Sequence, residues 1–173
     1  MSPKIPQRTA PDRSQRKPKP KAEPLQIMAQ NRVAEHLYFL TERFEAGMEL
    51  TGTEVKAIRG GKANLKDGYA LVKGGEVWLL NCHISPYEHG SYANHEALRK
   101  RKLLLHKHEI RKLTGKTVEK GLTLIPTKMY LKGGRVKCEI ALAKGKKLWD
   151  RRETIKRKET DREARQAIKQ RNQ

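Results

Sequence analysis

Two Gly-Gly pairs, each lying between strand-like segments, limit the fold of this chain more than any other feature. They stand at positions 74–75 and 133–134. Glycine readily adopts the positive φ angles of tight two-residue turns, so each pair predicts a β-hairpin. The predicted strands are residues 69–72 with 77–84, and residues 128–131 with 136–143.

The segment after the second pair alternates apolar and other residues, which predicts a strand with one face on a core. Its apolar positions are Val136, Cys138, Ile140 and Leu142. Pro126, just before the partner strand, indicates an edge or a bulge because proline has no N–H for the ladder. Aromatic and β-prone residues predict a further strand over residues 37–48, with a bend at Gly47.

Two segments have helical patterns instead. Residues 51–61 begin with capping residues, place Val55 and Ile58 on one face and end in glycine. Residues 101–113 place four apolar side chains inward, with Gly115 as the expected stop. Five or six short strands with two inserted helices predict a mainly β fold, a small OB-fold-like β-barrel.

Charge and composition divide the chain into three parts. Residues 1–24 hold six of the eight prolines and are predicted to be a disordered arm. Residues 25–143 carry the strand patterns and form the predicted barrel. Residues 144–173 contain 12 Lys or Arg against 5 Asp or Glu, and neither glycine nor proline follows Gly145. This basic tail has too few apolar side chains to pack, so it is predicted to be disordered alone and helical when bound.

The charge of the whole chain indicates a polyanionic partner. There are 39 Lys and Arg against 19 Asp and Glu, a net charge of +20. RNA or DNA is therefore the expected partner. A membrane is not, because no apolar run approaches the length of a bilayer span.

The sequence favours a binding protein over an enzyme. Cys82 and Cys138 lack metal-ligand spacing and follow no signal peptide, so they are expected to be reduced core thiols in a cytoplasmic protein. The histidines stand near no completing carboxylate or cysteine, so neither a metal nor another cofactor is predicted. A nuclease metal site is the remaining enzymatic alternative, and it follows no fixed motif. Its candidates would be Glu42, Glu45, Glu49 and Glu54.

Eight motifs in the right order resemble those of the SsrA-binding protein family, SmpB, over residues 27–158. They are AQNR at 29–32, YF at 38–39, FEAG at 44–47, TGTEVK at 51–56, GKANLKD at 61–67, HISPY at 83–87, RKLLLH at 101–106, and GKK at 145–147 with DRRE at 150–153. The resemblance implies a barrel that binds the transfer-RNA-like domain of transfer-messenger RNA (SsrA) and delivers it to stalled ribosomes for trans-translation. It also implies elongation factor Tu and alanyl-tRNA synthetase as partners through that RNA.

The resemblance implies RNA-binding roles for a set of barrel residues: Asn31, His36, Tyr38, Glu45 and Tyr69. Aromatic and imidazole rings can stack on unpaired bases, and an amide can read a base edge. Three lysines would neutralise phosphate: Lys56, Lys62 and Lys102. The residues alone leave a structural reading open, in which Tyr38 and Tyr69 are half-buried strand aromatics and Glu45 orients a lysine.

For the tail, the resemblance implies a helix in the empty messenger channel of the small ribosomal subunit, at the decoding centre. Trp149 stands where the family often has His or Tyr, and Arg151 stands where Lys is expected. These departures preserve a stacking surface and a charge. A ribosomal protein or a general RNA chaperone is the alternative function. The tail residues expected to contact the ribosome are Gly145, Lys146, Lys147, Trp149, Asp150, Arg151, Arg152 and Lys156.

Overall fold

The computed structural model describes residues 25–90 and 94–171, without the side chains of residues 119, 120, 148, 151, 158, 169 and 171. Over these ranges nine strands are joined by four helices. The predicted arm at residues 1–24 lies outside the described residues. In chain order the elements are β1 (Gln26–Gln30), α1 (Ala34–Leu37), β2 (Tyr38–Met48), α2 (Gly52–Arg59), β3 (Ala63–Asn64), β4 (Tyr69–Lys73), β5 (Glu76–Leu80), β6 (His83–Ile84), β7 (Arg101–Leu104), α3 (Lys107–Lys120), β8 (Thr123–Lys132), β9 (Arg135–Gly145) and α4 (Leu148–Arg171).

Antiparallel strands form a near-closed ring. Their order is β1-β8-β4-β5-β7-β2-β9, and β9 pairs again with β8. The contact between β4 and β8 is one pair, Ala70 with Leu124, so the ring is weakest there. The two shortest strands, β3 and β6, pair separately. The prediction of a mainly β fold with inserted helices is confirmed, and its relation to the OB-fold stays a prediction.

Both predicted hairpins are present. The glycine pair at 74–75 (φ 61° and 74°) joins β4 to β5, and the pair at 133–134 (φ 54° and 72°) joins β8 to β9. The first hairpin is shorter than predicted, because β5 ends at Leu80 and Asn81, with φ 53°, turns the chain. The local chemistry of the turns was therefore a sufficient guide to both hairpins.

The long hairpin of β8 and β9 carries the predicted irregularity. Its pairing shifts register between Pro126 and Lys128, which confirms a bulge at the proline. The burial of β9 differs from the prediction, since Ala141 and Ala143 are buried together with the alternating apolar side chains. Ile125 and helix α1 pack on that second side, so the end of β9 is covered on both faces.

The predicted strand over residues 37–48 is β2. It changes partners along its length, pairing with β9 over most of the strand and with β7 at Gly47 and Met48. A Cβ at Gly47 would lie 3.3 Å from Leu104 Cβ, so glycine permits this close approach.

The short helix α2 begins with a capping box, as its sequence predicts. The Thr51 N–H donates to Glu54 Oε2 at 2.7 Å, and Gly60 follows the last helical residue. Glu54 is fully buried, which the amphipathic pattern does not indicate.

The helix predicted over residues 101–113 is wrong at both ends. The segment Arg101–Leu104 is strand β7, and α3 spans Lys107–Lys120. Gly115 lies inside α3, which is followed by Gly121 in the left-handed conformation. The strand forms because Arg101 is fully buried and its Nε donates to Glu54 Oε1 at 2.8 Å, a contact between residues far apart in sequence.

The core lies inside the ring and is closed by Ile58 of α2 and Leu113 of α3. Cys82 and Cys138 are free and buried, and burial raises the pKa of Cys82 to about 11. Among the described helices, none is both long enough and apolar enough to cross a membrane.

Candidate nucleic-acid interface

Three of the residues that the sequence predicts to bind RNA come together at one cavity. It measures about 340 Å³ and lies where α1, β8 and the turn before β4 meet. Asn31, Tyr38 and Tyr69 line it, together with Lys66 and Ile125. We call it the tyrosine cavity.

Asn31 is buried beneath the tyrosine cavity, with 6% of its surface exposed. Its Nδ2 donates to the carbonyl oxygens of Leu65 at 3.0 Å and Pro126 at 3.2 Å. Its Oδ1 accepts a hydrogen bond from the Ala34 N–H at 3.1 Å, which starts α1. The side chain thus ties three segments together and has its amide engaged within the protein.

The two tyrosines differ in how far they are embedded. Tyr38 begins β2 and is half-buried against the small cluster that contains Ala34 and Ile125. Tyr69 begins β4 and is 37% exposed. One ring is therefore held by packing and the other is open to a stacking partner, so both earlier readings of these residues have a basis in the geometry.

Lys66 is a cavity residue that was not among the predicted RNA contacts. It is exposed at the tyrosine cavity, and its N–H donates to Asn64 Oδ1 at 2.9 Å, which shapes the turn. Its place in the GKANLKD motif is the only sequence signal for it. His36, which was predicted, lies half-buried on α1 without lining the cavity.

Glu45 lies apart from the tyrosine cavity. It accepts hydrogen bonds from the Tyr130 hydroxyl at 2.6 Å and from Lys132 Nζ at 2.9 Å, and these bonds lower the pKa of Glu45. It lines a larger cavity of about 610 Å³ with Leu104 and Arg135. The structural reading, in which Glu45 holds a lysine, therefore matches its contacts, and the carboxylate still reaches an open surface.

The three predicted phosphate-binding lysines are spread over the barrel, and each has a partner in the protein. Lys56 Nζ lies 5.2 Å from the centre of the Tyr87 ring. Lys62 pairs with Glu88 and Lys102 pairs with Glu76. Contact with phosphate at any of the three would exchange one of these exposed interactions, which are individually weak.

The tail begins as a continuation of the ring and ends as a helix. Gly145 still belongs to β9 and pairs with Tyr38, so the last strand includes the first two residues of the predicted tail. Asp150 Oδ2 then accepts the Lys147 N–H at 3.1 Å at the start of α4. Trp149 is 62% exposed, and Arg152 and Lys156 are exposed as well. Arg151 lies in α4, but its side chain is outside the described part.

Lys146 fixes the first turns of α4 to the barrel. Its Nζ donates to the Glu35 carbonyl at 2.9 Å and to Thr154 Oγ1 at 3.2 Å. The same ammonium lies 4.9 Å from the centre of the Phe39 ring. Its N–H also donates to the Leu37 carbonyl at 2.9 Å. Lys146 therefore joins α1, β2 and α4, a role that its charge alone did not indicate.

The carboxylates considered for a nuclease each serve a different contact. Hydrogen bonds from Lys112 and Lys116 lower the pKa of Glu42 to about 2. Glu54 is held by Arg101 and by Arg99 NH2 at 2.7 Å. Within the described residues no cluster of three His, Cys, Asp or Glu could hold a metal ion.

Comparison with known proteins gives consistent matches. The family model described as SmpB protein matches residues 28–170. An SsrA-binding protein from Trichormus variabilis is 59% identical over 150 residues, covering 86% of this chain and 97% of the relative. Another SsrA-binding protein, from Koribacter versatilis, is 57% identical over 163 residues, covering 91% and 93%.

One solved structure extends the comparison to three dimensions. It is described as "tmRNA-SmpB: a journey to the center of the bacterial ribosome" and aligns with a TM-score of 0.60. The alignment covers 73% of this chain and 87% of that chain at 50% sequence identity. The sequence similarity therefore coincides with a similarity of fold.

Proposed function

The chain belongs to the SmpB family, and from that membership we propose that it binds transfer-messenger RNA and acts with it on the ribosome in trans-translation. The family consists of RNA-binding proteins and not of enzymes. In the proposed role the barrel binds the transfer-RNA-like domain, and the complex is delivered to ribosomes stalled on broken messages. Elongation factor Tu and alanyl-tRNA synthetase would meet the protein through the RNA.

The tyrosine cavity is the observation that supports an RNA site on the barrel most directly. Tyr69 offers an exposed ring, Tyr38 offers a packed one beside it, and Lys66 adds a positive charge at the cavity. Unpaired bases stack on such rings while phosphates approach the charge. The cavity therefore suits a loop of a folded RNA better than a regular duplex.

The contacts of Asn31 and Glu45 refine their proposed roles. Because the amide of Asn31 is engaged by buried backbone groups, we assign it to positioning the cavity and not to reading a base edge. Glu45 is held by Tyr130 and Lys132, so it offers a fixed acceptor to a base amine or a ribose hydroxyl. His36, Lys56, Lys62 and Lys102 remain peripheral contacts in the proposal.

The tail is proposed to occupy the empty messenger channel of the small subunit. The 24 residues of α4 extend about 36 Å, long enough to follow an RNA-lined channel. Exposed Trp149 supplies a stacking surface near the decoding centre, and Lys147, Arg152 and Lys156 supply phosphate contacts. Lys146 would set the angle at which the helix leaves the barrel.

A binding titration with the isolated transfer-RNA-like RNA tests the barrel site. Tyr38→Ala and Tyr69→Ala should each weaken binding about tenfold, because one stacked base is lost. Tyr38→Phe and Tyr69→Phe are the matched controls and should retain most of the affinity. Melting of Tyr69→Ala should change little, since that ring is exposed.

Two results would contradict the proposed site. One is unchanged affinity of both alanine variants together with a clear drop in the melting temperature of Tyr38→Ala, which would make the tyrosines structural. The other is equal binding of bulk ribosomal RNA and the transfer-RNA-like RNA. That outcome would favour a ribosomal protein or a general RNA chaperone.

A further inference from the structure

A second exposed surface lies on the outer side of strands β4 and β5. Leu71 pairs with Trp78 across these strands, and Trp78 pairs with Lys102 on β7. Leu71 is 49% exposed, while Trp78 and Leu80 are half-buried. We call this surface the β4–β5 face, and a cavity of about 460 Å³ on it is lined by Leu71, Lys73, Trp78, Leu80 and Lys100.

The fold does not need these apolar side chains for its core. Neighbouring residues on the opposite side of the same strands, Ala70, Val77 and Leu79, are buried inside the ring. Side chains alternate between the two faces of a strand, so Leu71 and Trp78 stand away from the core. A contiguous exposed apolar surface bordered by charge is typical of an interaction site.

The charge at the border selects the kind of partner. Lys73 and Lys100 are exposed, and neither forms an ion pair with any residue that the structure describes. Lys102 completes the row and is shared with Glu76. Two unshared ammonium groups beside a flat indole match a nucleobase between phosphates, because the base can stack while the phosphates pair with lysine. The charge of +20 on the whole chain favours the same polyanion.

We propose that the β4–β5 face is a further RNA-binding site, which takes an unpaired stretch of RNA with a base on Trp78 and phosphates at Lys73 and Lys100. The site is distinct from the tyrosine cavity, although Tyr69 lies two residues before Leu71 on the same strand. It does not depend on the identity of the RNA that the tyrosine cavity binds, since single-stranded RNA of any origin presents bases and phosphates.

The two tryptophans of the chain allow a local test. Trp149→Phe in the full chain leaves Trp78 as the only tryptophan. Titration with a short, unstructured oligoadenylate should quench the Trp78 emission, because an adenine stacks on the indole. The tail can bind the same RNA, but it no longer contributes tryptophan fluorescence.

A charge-matched pair of variants separates the proposed site from general attraction. In the Trp149→Phe background, Lys73→Ala with Lys100→Ala should weaken the quenching isotherm about tenfold and lower the slope of log affinity against log salt by about 2. The control is Lys107→Ala with Arg111→Ala, which removes the same charge from exposed positions on α3. It should leave the isotherm nearly unchanged. All four side chains are exposed, so loss of folding does not confuse the comparison.

Three outcomes would overturn the proposal. The first is unchanged Trp78 emission while labelled oligoadenylate is bound, which would place the RNA on the tail alone. The second is an equal loss in both charge variants. The third is quenching by oligoglutamate of equal charge but not by oligoadenylate, which would make the face a docking site for an acidic protein. None of these would affect the tyrosine-cavity titration, so failure here is distinguishable from failure of the proposed function.

Discussion

Replacing Asn31 separates a positioning role from direct contact with RNA. Asn31→Ala removes hydrogen bonds to the Leu65 and Pro126 carbonyls and from the Ala34 N–H. The Leu65 carbonyl keeps a hydrogen bond from the Gly68 N–H at 3.1 Å, so its loss is the smallest. A buried group deprived of its partner costs about 1–3 kcal/mol. Summed over the site, the free energy of unfolding should fall by about 3 kcal/mol.

Thermal and urea denaturation measure this change. For a chain of this size, a loss of about 3 kcal/mol corresponds to a decrease in melting temperature of roughly 10 °C. The matched control is Asn64→Ala. Asn64 is exposed and its Oδ1 accepts one hydrogen bond, from the Lys66 N–H. That variant should lose less than about 1 kcal/mol.

RNA binding by the same variant gives the second half of the test. Asn31 holds α1, β8 and the turn before β4 around the tyrosine cavity, so Asn31→Ala should also weaken binding at temperatures where it is folded. The result that would refute the reasoning is wild-type melting together with lost RNA affinity. That combination would mean that the amide contacts RNA directly.

Two further predictions concern the buried ion pair and the start of the tail. Burial raises the pKa of Glu54, but hydrogen bonds from Arg99 and attraction by Arg101 outweigh it and hold the pKa at about 2, below the ordinary 4.5. Its contribution to stability should therefore be complete above pH 4.5 and be lost as the pH falls towards 2, and Glu54→Gln should remove this dependence and cost about 3–5 kcal/mol in denaturation at pH 7. An unchanged acid transition in that variant would contradict the assignment. Lys146→Ala should raise amide hydrogen exchange in residues 148–155 severalfold while Lys147→Ala does not, and equal exchange in both would show that Lys146 does not anchor α4.

Local chemistry made some elements predictable from sequence. The Gly-Gly pairs at 74–75 and 133–134 specify their hairpins because positive φ angles are required within the turn itself. The start of α2 was predictable because its capping box spans only four residues, from Thr51 to Glu54. The bulge at Pro126 follows from a missing N–H. Each of these signals is complete within a few neighbouring residues.

Elements decided by distant contacts were not predictable in this way. The segment that became β7 resembles the start of a basic helix until Arg101 is seen to pair with Glu54 across the fold. Strand β1 has no alternating pattern and exists through its pairing with β8. At the candidate site the resemblance named Asn31, but only the folded structure shows that its amide is engaged by backbone from two distant segments. Long-range pairing is the common reason for these misses.

Peptide tagging on a ribosome stalled at the end of a broken message tests the central claim most directly. The reaction contains purified ribosomes, aminoacylated transfer-messenger RNA, elongation factor Tu and either the full chain or a chain that ends at Lys147. We predict that the full chain supports addition of the tag. The shortened chain should retain binding to the transfer-RNA-like RNA but lose tagging, because the barrel is intact and α4 is missing. Absence of tagging with the full chain, or tagging at the normal rate with the shortened one, would contradict the proposed division between barrel and tail.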